Sequence, residues 1–134
     1  MNIAANLNDF AWMDEVDGSE GAIFFAAGML HYFTFAQAEA LAHELSVRFA
    51  GDRFVFDMMG KLGKRLMRKT FKGFGMENYD DCLCVNKVDE IRSWCPGARI
   101  SHRGYMLGYQ AMDDPNVKGI HRFLARLCDG LVNM

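Results

Sequence analysis

Apolar residues in this chain come either in short unbroken runs or on helically spaced faces. Residues 23–33, IFFAAGMLHYF, form a continuous apolar run interrupted by Gly28. A capped amphipathic stretch follows, then a second apolar run, RFVFDMM, at residues 53–59. Run, glycine turn, helix and second run is the pattern of a parallel βαβ unit, whose strands are buried on both faces. Thr34 and Gln37 have the spacing of a capping box, which predicts a helix starting at Phe35. Phe35, Ala38, Ala42, Leu45 and Phe49 fall on one face of it, and Gly51 stands where a C′ glycine belongs.

Gly60 ends the second strand. Residues 61–72 are predicted as a helix with Leu62, Leu66 and Phe71 on one side and six Lys or Arg residues on the other. Residues 73–81 read as a loop. Asn86 is suited to cap a short helix carrying Val88, Ile91 and Cys95, closed by Pro96-Gly97. Residues 99–107 are predicted as a strand of poor alternation. Asp114 and Pro115 make an N-cap and N1 pair for a last helix, with Val117, Ile120, Leu124, Leu127 and Leu131 on its apolar face. Residues 2–5 resemble the tail of a further strand. Strands alternating with helices, and no linker or repeat, predict a single α/β domain over residues 1–134.

Composition narrows the functional classes. The 134 residues are 51% hydrophobic and 24% charged, with a formal net charge of −2. That balance gives no whole-molecule case for nucleic acid or an anionic membrane. No run of about 18 apolar residues predicts a transmembrane helix. MNIAANLNDF lacks the basic start and apolar core of a secretory signal. Cys82, Cys84, Cys95 and Cys128 lie in or beside apolar segments without a disulfide-like framework, so they are expected to be reduced thiols in a cytoplasmic protein.

In an open α/β sheet, ligands bind beyond the carboxyl ends of parallel strands. Those ends are residues 6–9, 26–30 and 57–60. Ala26, Ala27 and Gly28 are small enough for a ligand to approach the backbone. Asn6, Asn8 and Asp9 offer amides and a carboxylate suited to an adenine edge, and Asn8 and Asp9 serve equally well as turn caps. His31 is a candidate general base, and equally a packing residue. Asp57 has the same two roles open to it. Cys82-x-Cys84 is too closely spaced for a zinc knuckle, and His102 and His121 have no paired ligand, so no metal is expected. The basic helix at 61–72 suits phosphates, a membrane surface or plain solvation.

Three segments together resemble the branch of class I S-adenosylmethionine-dependent methyltransferases that includes tetracenomycin-type polyketide O-methyltransferases and leucine carboxyl methyltransferases. Asn6-Leu7-Asn8-Asp9-Phe10-Ala11-Trp12 is similar to that branch's acidic D-L-x-D-x-x-W segment. Phe24-Phe25-Ala26-Ala27-Gly28-Met29-Leu30-His31-Tyr32-Phe33 is similar to its F-x-A-E-G-V-L-x-Y-F turn, and Phe54-Val55-Phe56-Asp57 to its L-V-F-D strand. A looser match runs from Val85 to Trp94 and to Tyr105. Asn6 and Ala27 replace residues that are commonly acidic in the family.

The resemblance implies S-adenosylmethionine as cofactor, contacted by Asn6, Leu7, Asp9, Ala26, Ala27 and Gly28. It implies His31 as catalytic base, and Tyr32 and Asp57 beside a small-molecule hydroxyl or carboxylate acceptor. No G-x-G-x-G loop occurs in the sequence. The expected fold is therefore the C-terminal part of a Rossmann-like methyltransferase sheet whose glycine-rich N-terminal half is missing, inactive alone and without nucleic-acid or membrane partners. An open edge on the strand at 22–27 is expected to favour a homodimer. The competing expectation is a non-catalytic interaction domain that binds an anionic partner through helix 61–72.

Overall fold

Two strands, β1 (Ile23–Ala26) and β2 (Arg53–Phe56), pair in parallel, with Ile23 opposite Arg53 and Ala26 opposite Phe56. They belong to a computed structural model that describes residues 3–102 and 114–123. The chain separates into two units, Met1–Ala98 and Arg99–Met134. The first is a mixed helix and strand unit with this small parallel sheet, consistent with an α/β class. Among the described residues, no helix is long and apolar enough to cross a membrane.

Helix α1 (Phe35–Arg48) connects the strands. Its start follows from sequence: the Thr34 side chain accepts from the Gln37 N–H, and the Gln37 side chain accepts from the Thr34 N–H at 2.9 Å. Ala38, Leu41, Ala42 and Leu45 are buried against Met13, Ala26, Leu30, Leu83 and Trp94. Burial of each leucine contributes about 1.5–3 kcal/mol. The helix ends one residue earlier than a C′ glycine at 51 implies. Phe49 is the C-cap, and Gly51, at φ +99°, lies one position beyond C′.

The sheet is buried on one face only, where the apolar runs predicted two. Phe24, Ala26, Phe54 and Phe56 face the core, while Ile23, Phe25 and Val55 are exposed. Residues 3–5, the described part of the strand tail expected at 2–5, form no strand, and β2 stops at Phe56 rather than Met59.

Helix α2 (Lys61–Gly73) is present, but its orientation differs from the expected division into one apolar and one basic side. Leu62 and Leu66 face solvent, whereas Phe71 turns to the opposite side and stacks on Tyr79 at 4.7 Å. The physical reason is a polar anchor. Lys64 Nζ donates to the carbonyls of Asp80 and Cys82, and Arg68 and Lys72 each reach Asp80 Oδ2 at 2.8 Å. The anchoring segment, expected as loop, contains a 3₁₀ helix at Glu77–Asp81.

Asn86 does not cap the element that follows it. Its Oδ1 accepts the Lys61 N–H at 2.9 Å and so caps α2, whose own N-cap, Gly60, has no side chain to offer. The following 3₁₀ helix, Val88–Trp94, is capped from Lys87, with Glu90 accepting the Lys87 N–H.

In the second unit, Asp114 Oδ1 accepts the Asn116 N–H at 2.8 Å in a turn, and helical residues begin at 119 rather than at Pro115. The expected strand at 99–107 and the face at Leu124, Leu127 and Leu131 lie wholly or partly outside the described residues. So do Tyr105 and Cys128.

Candidate functional site

The loops that leave β1 and β2 meet at the carboxyl end of the sheet. Gly28 takes φ +63°, a conformation that costs a residue with a Cβ about 1 kcal/mol or more. A Cβ built there meets nothing within 4 Å, so the turn is bare on its outer side. Asp57, the first residue after β2, accepts the Gly28 N–H on Oδ1 at 2.6 Å. Its Oδ2 lies 3.3 Å from His31 Nε2. The His31 side chain is 15% exposed and that of Asp57 43%, so the pair sits at the edge of the core with the carboxylate open to solvent.

Three further backbone contacts close this end. Cys82 bridges to Thr34, Leu83 N–H donates to the Phe33 carbonyl, and Val85 N–H donates to the Met59 carbonyl at 3.1 Å. Residues 82–85 therefore strap the loop after β1 to the loop after β2. Tyr32 places its ring edge-on to Phe71 at 5.7 Å, which links the site to α2. Burial pushes the Cys82 and Cys84 thiols above their ordinary range, which keeps them protonated and poorly nucleophilic.

The expected site residues thus divide into two groups. Ala26, Ala27, Gly28, His31, Tyr32 and Asp57 share one end of the sheet. Asn6, Leu7 and Asp9 form a separate turn: Asn6 Oδ1 accepts from Asn8 N–H at 3.0 Å, and Asp9 Oδ1 accepts from Ala11 N–H at 3.2 Å. Asp9 thereby caps the 3₁₀ helix Phe10–Glu15, whose Met13 is buried and whose Trp12 meets Phe24 edge-on at 6.3 Å. Asp9 Oδ2 has no hydrogen-bond partner among the described residues.

The sequence pattern gives Asp80 and Lys64 no organising role and assigns Asn86 to the wrong helix. Their signal was the acidic pair Asp80-Asp81 following a helix of six basic residues. Among the described residues, no group of three or more His, Cys, Asp or Glu side chains converges to hold a metal ion. No protein-family model, curated protein or solved structure matches the chain.

Proposed function

We propose that this chain is part of a Rossmann-like class I methyltransferase that transfers a methyl group to a small-molecule hydroxyl or carboxylate. The observation that carries the reading is the junction of Gly28, His31 and Asp57 at the carboxyl end of a parallel βαβ unit. Ligands of open α/β sheets bind at that position.

The open turn at Gly28 leaves room for one edge of S-adenosylmethionine to approach the backbone. A Cβ at position 28 would stand in open space at that turn, while Ala26 is buried and faces the core. Asp9 keeps one carboxylate oxygen for an amino group. When bound, the cofactor supplies an electrophilic methyl on its sulfonium centre. Nothing in the sequence provides the glycine-rich loop that would hold the methionine part, so this chain offers half a cradle.

The chain's own contribution is to position groups and accept a proton. Asp57 fixes the backbone at Gly28 and, through its second oxygen, the ring of His31. With Nε2–H donating to Asp57, His31 Nδ1 carries the lone pair that accepts a hydroxyl proton. Tyr32, half exposed beside Phe71, borders the acceptor.

Calorimetric titration with S-adenosylmethionine tests the reading. The chain alone should bind weakly, and a glycine-rich methyltransferase half supplied in trans should tighten binding. Gly28→Val should abolish it. Equal binding by the valine variant would overturn the placement.

A further inference from the structure

A thioether joins the loop after β2 to α2 and to the 3₁₀ helix Glu77–Asp81. The carbonyl of Met59 accepts the Val85 N–H at 3.1 Å, which fixes the backbone of that loop. Its side chain runs over Gly63 in the first turn of α2: a Cβ placed on that glycine would stand 2.8 Å from Met59 Cγ. The Tyr79 hydroxyl, in turn, donates to Met59 Sδ at 3.3 Å.

The partners in this hydrogen bond are unequal. Tyr79 is 1% exposed, and burial pushes its phenol above the ordinary range, so it stays an O–H donor. Among the described residues that hydroxyl has no acceptor other than Sδ. A thioether accepts weakly, so a buried donor is left poorly satisfied. Met59 is half-buried and open to a small solute, whereas Met13 in the core is not. The Tyr79 ring also stacks on Phe71 of α2, and Phe71 meets Tyr32 at the candidate site. A stronger acceptor at Met59 would therefore tighten the seat of α2.

We propose that Met59 is an oxidation site whose sulfoxide oxygen is received by the Tyr79 hydroxyl, so that peroxide tightens the attachment of α2. The oxidant is hydrogen peroxide. A sulfur lone pair attacks one peroxide oxygen, the O–O bond breaks, and the departing hydroxide takes the proton of the transferred oxygen to leave as water. The thioether loses two electrons to become the sulfoxide, and the peroxide is reduced; sulfoxide reductases return the sulfur to the thioether. The new oxygen sits on the atom that Tyr79 already addresses and accepts an O–H more strongly than sulfur does. This site is independent of the methyltransferase reading.

Peptide mass spectrometry and amide hydrogen exchange of the whole chain, before and after hydrogen peroxide, test it. Met59 should carry a sulfoxide, and exchange of the α2 amides should slow by about two- to tenfold, the net contribution of one hydrogen bond. Tyr79→Phe keeps the ring and its stack but removes the hydroxyl, so its α2 exchange should not slow on oxidation. Met59→Leu should leave α2 exchange unmoved by peroxide, which separates Met59 from the other methionines. A Met59 that stays a thioether while the exposed Met67 is oxidised would overturn the proposal. So would equal or faster α2 exchange in the oxidised wild type, or slowing that persists in either variant.

Discussion

Asp57 accepts the backbone N–H of Gly28 at 2.6 Å, so a carboxylate at the end of one parallel strand fixes the turn that follows the other. The two residues are 29 positions apart in sequence, and α1 lies between them. Without this bond the bare glycine turn would have no side chain to hold it in the left-handed conformation. The same carboxylate orients His31, so one residue sets both the backbone and the imidazole of the site.

Replacing Asp57 should separate these roles. Asp57→Ala removes both contacts and should cost about 1 kcal/mol in urea unfolding, because the group is partly solvated. Asp57→Asn keeps an oxygen for Gly28 and should cost less. Amide exchange at Gly28 should accelerate in the alanine variant and stay near wild type in the asparagine variant.

The start of α1 rests on its capping box. Thr34→Ala should destabilise the fold by about 1 kcal/mol, measured as a lower urea midpoint at unchanged slope. Thr34→Ser, which preserves the hydroxyl acceptor, should remain near wild type.

Trp94 is 3% exposed, stacks on Phe56 and meets Phe35 edge-on. Its Nε1–H has no partner among the described residues. Trp94→Phe should therefore cost little, since an unpaired donor leaves with the lost area. Trp94→Ala should cost about 3–5 kcal/mol through the cavity it opens. Thermal unfolding of the two variants checks the difference.

Hydrogen bonds from Lys72 and Arg68 hold the Asp80 carboxyl below its usual range. A depressed value in the folded state gives stability that is present above the ordinary carboxylate pKa and lost as pH falls through the lower, folded one. Asp80→Asn should thus lower the melting temperature at neutral pH. Its difference from wild type should shrink below about pH 4.

Local signals were the legible ones. Thr34 and Gln37 announce α1 because the capping box is complete within four residues, and the run at 53–59 announces β2, though three residues too long. Long-range anchors were not legible. Nothing near Gly60 shows that Asn86, 25 positions on, supplies the cap of α2. The orientation of α2 departs from its sequence pattern for the same reason, since Asp80 draws basic residues inward and leaves Leu62 and Leu66 in water. Of the candidate site, the sequence marked Gly28, His31 and Asp57 singly. Their junction needed the parallel register of β1 and β2.

On the proposed function, the turn at Gly28 forms a cofactor surface. Nuclear magnetic resonance of the labelled chain, titrated with S-adenosylmethionine to about 10 mM, tests it most directly, since a half cradle should bind with a dissociation constant in about the millimolar range. The expected result is saturable shift changes at Ala27, Gly28, His31 and Asp57, lost in Gly28→Val. Changes confined to other surfaces, or none at the highest concentration, would contradict the claim.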